Sequence, residues 1–291
     1  MQNLKFTTKY KNNDKLRTSF FKLAADTFDI NFERWYRQGG WGEQYIPFSF
    51  VDGDQVVANA SVNTLELIIH GQRTKAIQIG TVMTDPNYRG KGLSTHLMNQ
   101  ILQEYEHTVD LMYLFANESV LDFYPKFGFK NVEECLFSTK YTSISSKSTI
   151  IRKLDINLAA DLHLLNNFAS NRLPVSQRFA TDHTASVLMF YCLNVFNENI
   201  YYLEDQNVIV IYQQKDDHIE LFDIISTNEI NIKDISDQIT DEYTKQITFH
   251  FTPDGQGLEL NSTMTNEGLF VKTVGDTLYP AHVKHPITSI A

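Results

Sequence analysis

One stretch limits what this chain can become. Gln78 to Ser94 reads QIGTVMTDPNYRGKGLS and runs on into Thr95 to Tyr105. Ile77 to Met83 mixes apolar and β-branched residues, which predicts a strand. The strand stops at Thr84-Asp85-Pro86, because Pro86 has no N–H to give to a ladder. In the following Arg89-Gly90-Lys91-Gly92-Leu93-Ser94, the two glycines let the backbone turn tightly and approach a ligand. Leu93, Leu97, Met98, Ile101, Leu102 and Tyr105 recur at helical spacing, so a helix opens at about Gly92 and buries that stripe. A glycine-rich turn at a helix N-terminus presents unpaired N–H groups and the positive end of the helix dipole, which suits a phosphate.

Residues beyond the glycines sharpen this reading. Arg89 to Ser94 resembles the acetyl-CoA loop of the GCN5-related N-acetyltransferases (GNAT), whose pattern is Arg or Gln, two residues, Gly, one residue, then Gly or Ala. Ser94 takes the last, small position, a mild departure. Thr84 to Tyr88 is similar to that family's strand-to-loop junction. Asp110 to Ala116 reads as a strand, Asn117 follows it, and Ser119 to Tyr124 starts a short helix. Pro125-Lys126-Phe127-Gly128-Phe129 resembles the family's second signature. The resemblance covers about residues 47 to 135 by motif.

The chain has 291 residues, which suggests two domains. Its apolar share of 42% supports ordinary cores rather than disorder. A formal net charge of −10 argues against nucleic acid or an anionic membrane as partner. Two cysteines, Cys135 and Cys192, make no disulfide framework, fit a reducing compartment and read as small buried residues. The N-terminal residues lack a signal-peptide core, and no run reaches the ~18 apolar residues of a membrane span, so a cytoplasmic protein is expected. No CxxC or HExxH occurs, so no metal is expected. His96 reads as a surface residue.

The N-terminal half reads as helices over Leu16 to Phe28 and Asn31 to Tyr36, then a glycine- and aromatic-rich loop, Arg37 to Tyr45. Trp35, Trp41 and Tyr45 serve either an acceptor-pocket wall or core packing. Hairpins follow around Asp52-Gly53-Asp54 and Gly71-Gln72-Arg73-Thr74. With the later helices and strands, residues 1–140 form a mixed α/β unit, for which the resemblance implies the GNAT fold. The serine-rich Tyr141 to Ser148 reads as a linker. Residues 150–291 form a second, smaller α/β domain. There Leu154 to Phe168, His183 to Val195 and Ile232 to Ile239 read as helices. Ile200 to Leu203, Val208 to Gln213, Ile219 to Ile225 and Ile247 to Thr252 read as strands. This order matches the first half and makes a degenerate GNAT-like unit the expectation. Ser226-Thr227-Asn228-Glu229 stands where the glycine loop would be, with a carboxylate and no glycine, so no coenzyme is expected there.

The resemblance implies an acetyl-CoA-dependent N-acetyltransferase acting on a small-molecule or peptide amine by direct attack. Main-chain N–H groups from Gly90 to Thr95 (Gly90, Lys91, Gly92, Leu93, Ser94 and Thr95) would cradle the pyrophosphate, with Arg89 and Lys91 near its charge. Main-chain groups of Val82, Met83 and Thr84 would lie beside the pantetheine. An N–H near Val82 or Met83 would face the thioester oxygen. Asn117 either bonds the pantetheine or caps a helix. Tyr124 would protonate the leaving thiolate, since a phenol is neutral at pH 7. Glu66, Glu43 and water remain open as the base. A role for a C-terminal carboxylate, implied by multidomain aminoglycoside-acetylating relatives, is not carried over to Thr288-Ser289-Ile290-Ala291. The second domain would wall the acceptor cleft or form a homodimer surface. A non-catalytic acyl-CoA-binding sensor is the alternative.

Overall fold

The computed structural model describes residues 4–141 and 150–291; most of the expected linker lies outside the described residues. Both halves follow one plan. In the first, β1 (Lys5–Thr7) precedes helices α1 (Asp14–Phe28) and α2 (Glu33–Arg37), then strands β2 (Tyr45–Asp52), β3 (Gln55–Ile69) and β4 (Gln72–Thr84). Helix α3 (Leu93–Tyr105) crosses over to β5 (Leu111–Phe115), which pairs parallel to β4. Short strands β6 (Lys130–Asn131) and β7 (Glu134–Lys140) follow. The second half opens with β8 (Ile151–Lys153), α4 (Ala159–Asn171), β9 (Phe179–Asp182) and α5 (Ala185–Asn194). Antiparallel strands β10 (Ile200–Leu203), β11 (Val208–Lys215) and β12 (His218–Ile225) come next. Then α6 (Ile232–Ile239) crosses over to β13 (Gln246–Phe249), parallel to β12, and β14 (Leu260–Thr265) and β15 (Leu269–Thr273) end the strands.

The two sheets exchange strands. One runs β1-β2-β3-β4-β5-β15-β6, with β9 paired to the far end of β3; the other runs β14-β7-β13-β12-β11-β10-β8. Thus β15 from the second half lies between β5 and β6, and β7 from the first lies between β13 and β14. Neither sheet is complete without the other half. One apolar core also joins them, with Phe20, Trp35 and Trp41 packed in the same cluster as Leu165, Leu188 and Ile225. Polar contacts lock the seam: Trp35 Nε1 donates to Ser186 O at 2.8 Å, and Arg34 Nη2 to Ile156 O at 3.0 Å.

The long hairpin β3–β4 is continuous with its partners only at one end. β4 pairs β5 from Ala76 to Ile79 and no further, so the strands part above Ile79. On the other side the β3–β4 register shifts between Asn59 and Ser61, opposite Gly80 to Met83. A β-bulge of this kind leaves a residue unpaired and re-aims the chain. Thr81 adopts φ +50° there, held by Asn59 Nδ2 donating to its carbonyl at 2.9 Å.

The exchange of strands crosses the boundary expected between residues 140 and 150; the other differences from the sequence reading are local. The helix expected from Leu154 starts at Ala159, after strand β8. Ser119 to Tyr124 forms two 3-10 turns, Glu118–Val120 and Tyr124–Phe127, rather than one helix. Strands β9, β14 and β15 carry too few alternating apolar residues to stand out.

Candidate active site

The parting of β4 and β5 opens a cavity of about 1030 Å³. Its lower wall is the glycine loop. Gly90 and Gly92 adopt φ +74° and +75°, where an L side chain is strained, and Gly92 is the N-cap of α3. No side chain caps that helix, so its first-turn N–H groups stay available at the positive end of the dipole. Leu93, Ser94 and Thr95 from this turn line the cavity, as do Gly90 and Gly92. The loop is braced from behind. Ser94 Oγ and Thr84 Oγ1 lie 2.9 Å apart, a bridge that an Ala or Gly at 94 would lack. Arg89 Nε donates to Thr84 O at 3.2 Å, and Asp85 accepts from Asn87 N at 2.9 Å.

Arg89 lines the cavity; Lys91 does not. The Lys91 ammonium donates to Asn87 O at 3.1 Å and stands 4.5 Å from the centre of the Tyr88 ring. Val82, Met83 and Thr84 form the wall on the unpaired edge of β4. Asn117 also lines the cavity and makes no side-chain cap bond to the turn after it, so capping is not its use. Tyr124 faces the same space, with its ring packed on Phe123 at 5.2 Å and on Phe270 of β15 at 5.8 Å. Burial pushes its phenol up to about 12, so it stays protonated at any physiological pH. The structure therefore brings ten of the eleven coenzyme-site candidates, and Tyr124, around one space.

Other candidates are elsewhere. Trp35 and Tyr45 line the cavity, while Trp41 is packed in the core. Glu43 and Glu66 do not line it. Glu66 instead bonds Arg73, whose guanidinium also lies 2.7 Å from Asp182. With His183 these carboxylates are the one close grouping of possible metal ligands among the described residues, and Arg73 already supplies its positive charge. His96 is exposed, and both cysteines are buried.

Sequence reasoning missed three contributions. α5 supplies Val187, Phe190 and Tyr191 to the cavity, β15 supplies the ring behind Tyr124, and Ile290 and Ala291 reach the floor. A Cβ on Gly80 would stand 2.6 Å from Ala291 O, so the backbone of residue 291 is seated directly on β4. The sequence reading gave these last residues no part in the site, and here they line it. A lone glycine inside a strand marks close backbone approach, and Gly80 carried that signal.

Comparison with known proteins agrees with this architecture. Residues 18–132 match the model of the acetyltransferase (GNAT) domain. N-alpha-acetyltransferase 50 of Danio rerio is 39% identical over 69 residues, a stretch covering 22% of this chain and 41% of that protein. The chain thus spans well under half of that relative. Two solved structures align with 93% of this chain and 72% of their own: a conserved Enterococcus faecalis protein of unknown function described as a probable N-acyltransferase (TM-score 0.64, 15% identity), and a GCN5-related N-acetyltransferase from Kribbella flavida (TM-score 0.58, 16% identity). The likeness in fold extends over both halves. No helix among the described residues is long and apolar enough to cross a membrane.

Proposed function

Because residues 18–132 belong to the GNAT acetyltransferases, we propose that this protein moves an acetyl group from acetyl-CoA to a primary amine. The observation that carries the proposal is the pairing of an uncapped, glycine-opened helix N-terminus with a parted β4–β5 edge on one cavity. The first suits a pyrophosphate and the second an extended pantetheine arm, which would bond the free edge as an added strand would. Backbone N–H groups of Gly90 to Thr95 hold the phosphates, and Arg89 adds charge from the rim. Asn117 bonds the arm from the opposite wall.

The acceptor amine attacks the thioester carbonyl from the aromatic side of the cavity. The β4 bulge turns an N–H near Val82 or Met83 towards the developing oxyanion. As the C–S bond breaks, Tyr124 gives its proton to the departing sulfur. Burial makes this phenol a weaker acid than free tyrosine, but keeps it fully protonated where the reaction runs. Among the described residues no carboxylate side chain stands on the acceptor wall, so we assign removal of the amine proton to water rather than to Glu43 or Glu66.

The test is Tyr124→Phe. Turnover of acetyl-CoA with an amine should fall by about 100-fold while acetyl-CoA affinity changes little. Unchanged turnover would remove Tyr124 from the mechanism. Coenzyme binding without turnover in the parent, across amines and peptides, would favour a non-catalytic acyl-CoA sensor.

A further inference from the structure

The acceptor side of the cavity has a chemistry of its own. Its wall is a continuous set of rings from both halves: Phe28, Phe32, Trp35 and Tyr45 from the first, Phe190 and Tyr191 from the second. Ring centres lie 5.5 Å apart for Phe32–Phe190, 5.3 Å for Phe32–Trp35 and 5.3 Å for Trp35–Tyr45, within the range of contacting aromatic pairs. The polar ends of two of them are already used. Trp35 Nε1 donates to Ser186 O, and Tyr45 Oη is held by Ser61 Oγ at 2.8 Å. What Trp35 and Tyr45 offer a ligand is therefore ring surface. Ile30 and Val187 fill the gaps, and the polar side chains on this side, Thr27, Asn63 and Thr81, are neutral. Among the described residues, Asp122 is the one acidic side chain of the lining, and it stands with Tyr124 and Asn117 on the coenzyme side. Nearby surface acids are engaged elsewhere, Glu33 with Arg37 and Asp26 with Lys22.

Resting on the proposed acetyl transfer, we infer that the acceptor is a primary amine carried on an apolar alkyl or aryl group, with no second positive charge. A polyamine or aminoglycoside brings several ammonium groups, each needing a carboxylate or water once it leaves solvent. The side chains of this wall offer no carboxylate to a second ammonium, and a cation–π contact with the rings replaces only part of its hydration, whereas an aryl or alkyl chain is released from water against the same rings. The reacting amine must be neutral to attack, and an apolar pocket favours that form by disfavouring the ammonium. The second half thus sets acceptor choice through α5, while the first half holds the coenzyme.

The experiment measures acetyl-CoA turnover by the intact chain with hexylamine and 2-phenylethylamine against spermidine and kanamycin, alongside calorimetric binding of acetyl-CoA. The apolar amines should show kcat/KM at least about tenfold above the polycations. Preference for spermidine or kanamycin would overturn the inference, as would binding of acetyl-CoA with no turnover of either apolar amine. Failure of acetyl-CoA to bind would instead overturn the acetyl-transfer reading on which the inference rests. Phe190→Asp is the second arm: it should cut kcat/KM for the apolar amines about tenfold and narrow the gap to spermidine, with acetyl-CoA affinity kept as the check on folding. An unaltered preference in that variant would also overturn the inference.

Discussion

The two halves of this molecule build the same strand–helix–strand crossover and arm it differently. In the first, β4 runs through Gly90 and Gly92 into a helix whose N-terminus no side chain caps. In the second, β12 runs through Ser226 to Glu229 into α6, and Asn231 caps that helix by accepting from Lys233 N at 2.9 Å. Ser226 Oγ closes the loop on itself, accepting from Asn228 N and donating to Asn228 O. The amides that could meet a phosphate are thus taken by the chain's own side chains.

The wedges differ in the same way. β12 and β13 also pair over only a short stretch, from His218 to Leu221. Beyond it the space is filled. Ile287 N donates to His250 O at 3.0 Å, Lys284 N to Thr252 Oγ1 at 2.7 Å, and Thr288 bonds the buried Asp223. Arg172 grips the same carboxylate through both terminal nitrogens at 2.8 Å. The segment that plugs the second wedge then continues to Ala291 on the floor of the first. One fold gives an open cleft or a sealed one, depending on a few residues at two turns and on where one segment is laid down. The sealed half still contributes, because its α5 and β15 complete the open one.

The sharpest way to break this contrast is at Gly92. Glu at that position puts a side chain in a left-handed backbone and a carboxylate at the phosphate end of the cleft. Acetyl-CoA affinity, read by calorimetry, should fall by about 100-fold or more. Glu229→Gly in the second half should leave it unchanged. A smaller loss is expected for Gly80→Val, whose Cβ must displace Ala291. Turnover should drop about 10- to 100-fold with the fold retained by circular dichroism, because groups on the cavity floor move out of place.

The seam between the halves gives a pH test. His285 packs against Tyr113 at 4.7 Å and Phe179 at 5.8 Å, and its ring is fully buried. Burial, with the Lys284 charge beside it, holds its pKa down at about 3. A histidine depressed in the folded state favours folding while both states are neutral, and costs stability as the unfolded form begins to protonate near pH 6.5. Between pH 7 and pH 5 this group should remove about 2 kcal/mol, seen as a shift of the urea midpoint. His285→Phe should flatten that part of the profile. An identical slope in the variant would exclude His285 as its source. The smallest effect belongs to Lys91→Ala: its ammonium is held on the surface by Asn87 and Tyr88, so acetyl-CoA affinity should change less than about twofold.

The glycine loop was legible in the sequence because everything that makes it is local. Proline ends the strand, two glycines permit positive φ, and a helical stripe begins at once. The exchange of strands was not legible. Leu260 to Thr265 reads LNSTMT, with little apolar alternation, and Leu269 to Thr273 is short enough to fit many settings. Their places depend on partners more than a hundred residues away. The acceptor wall was half visible. Trp35, in the helix before the aromatic-rich loop, and Tyr45, at that loop's end, could be picked out, but α5, ASVLMFYCLN, is apolar on nearly every side. No periodicity could say that Phe190 and Tyr191 face the cavity while Leu188 and Cys192 enter the core.

The most direct test of the contrast between the halves is the stoichiometry of acetyl-CoA on the intact chain, measured by titration calorimetry. One molecule per chain, lost in Gly92→Glu and kept in Glu229→Gly, is the predicted result. Two molecules per chain, or one that survives Gly92→Glu, would contradict the assignment of an open first cleft and a sealed second one.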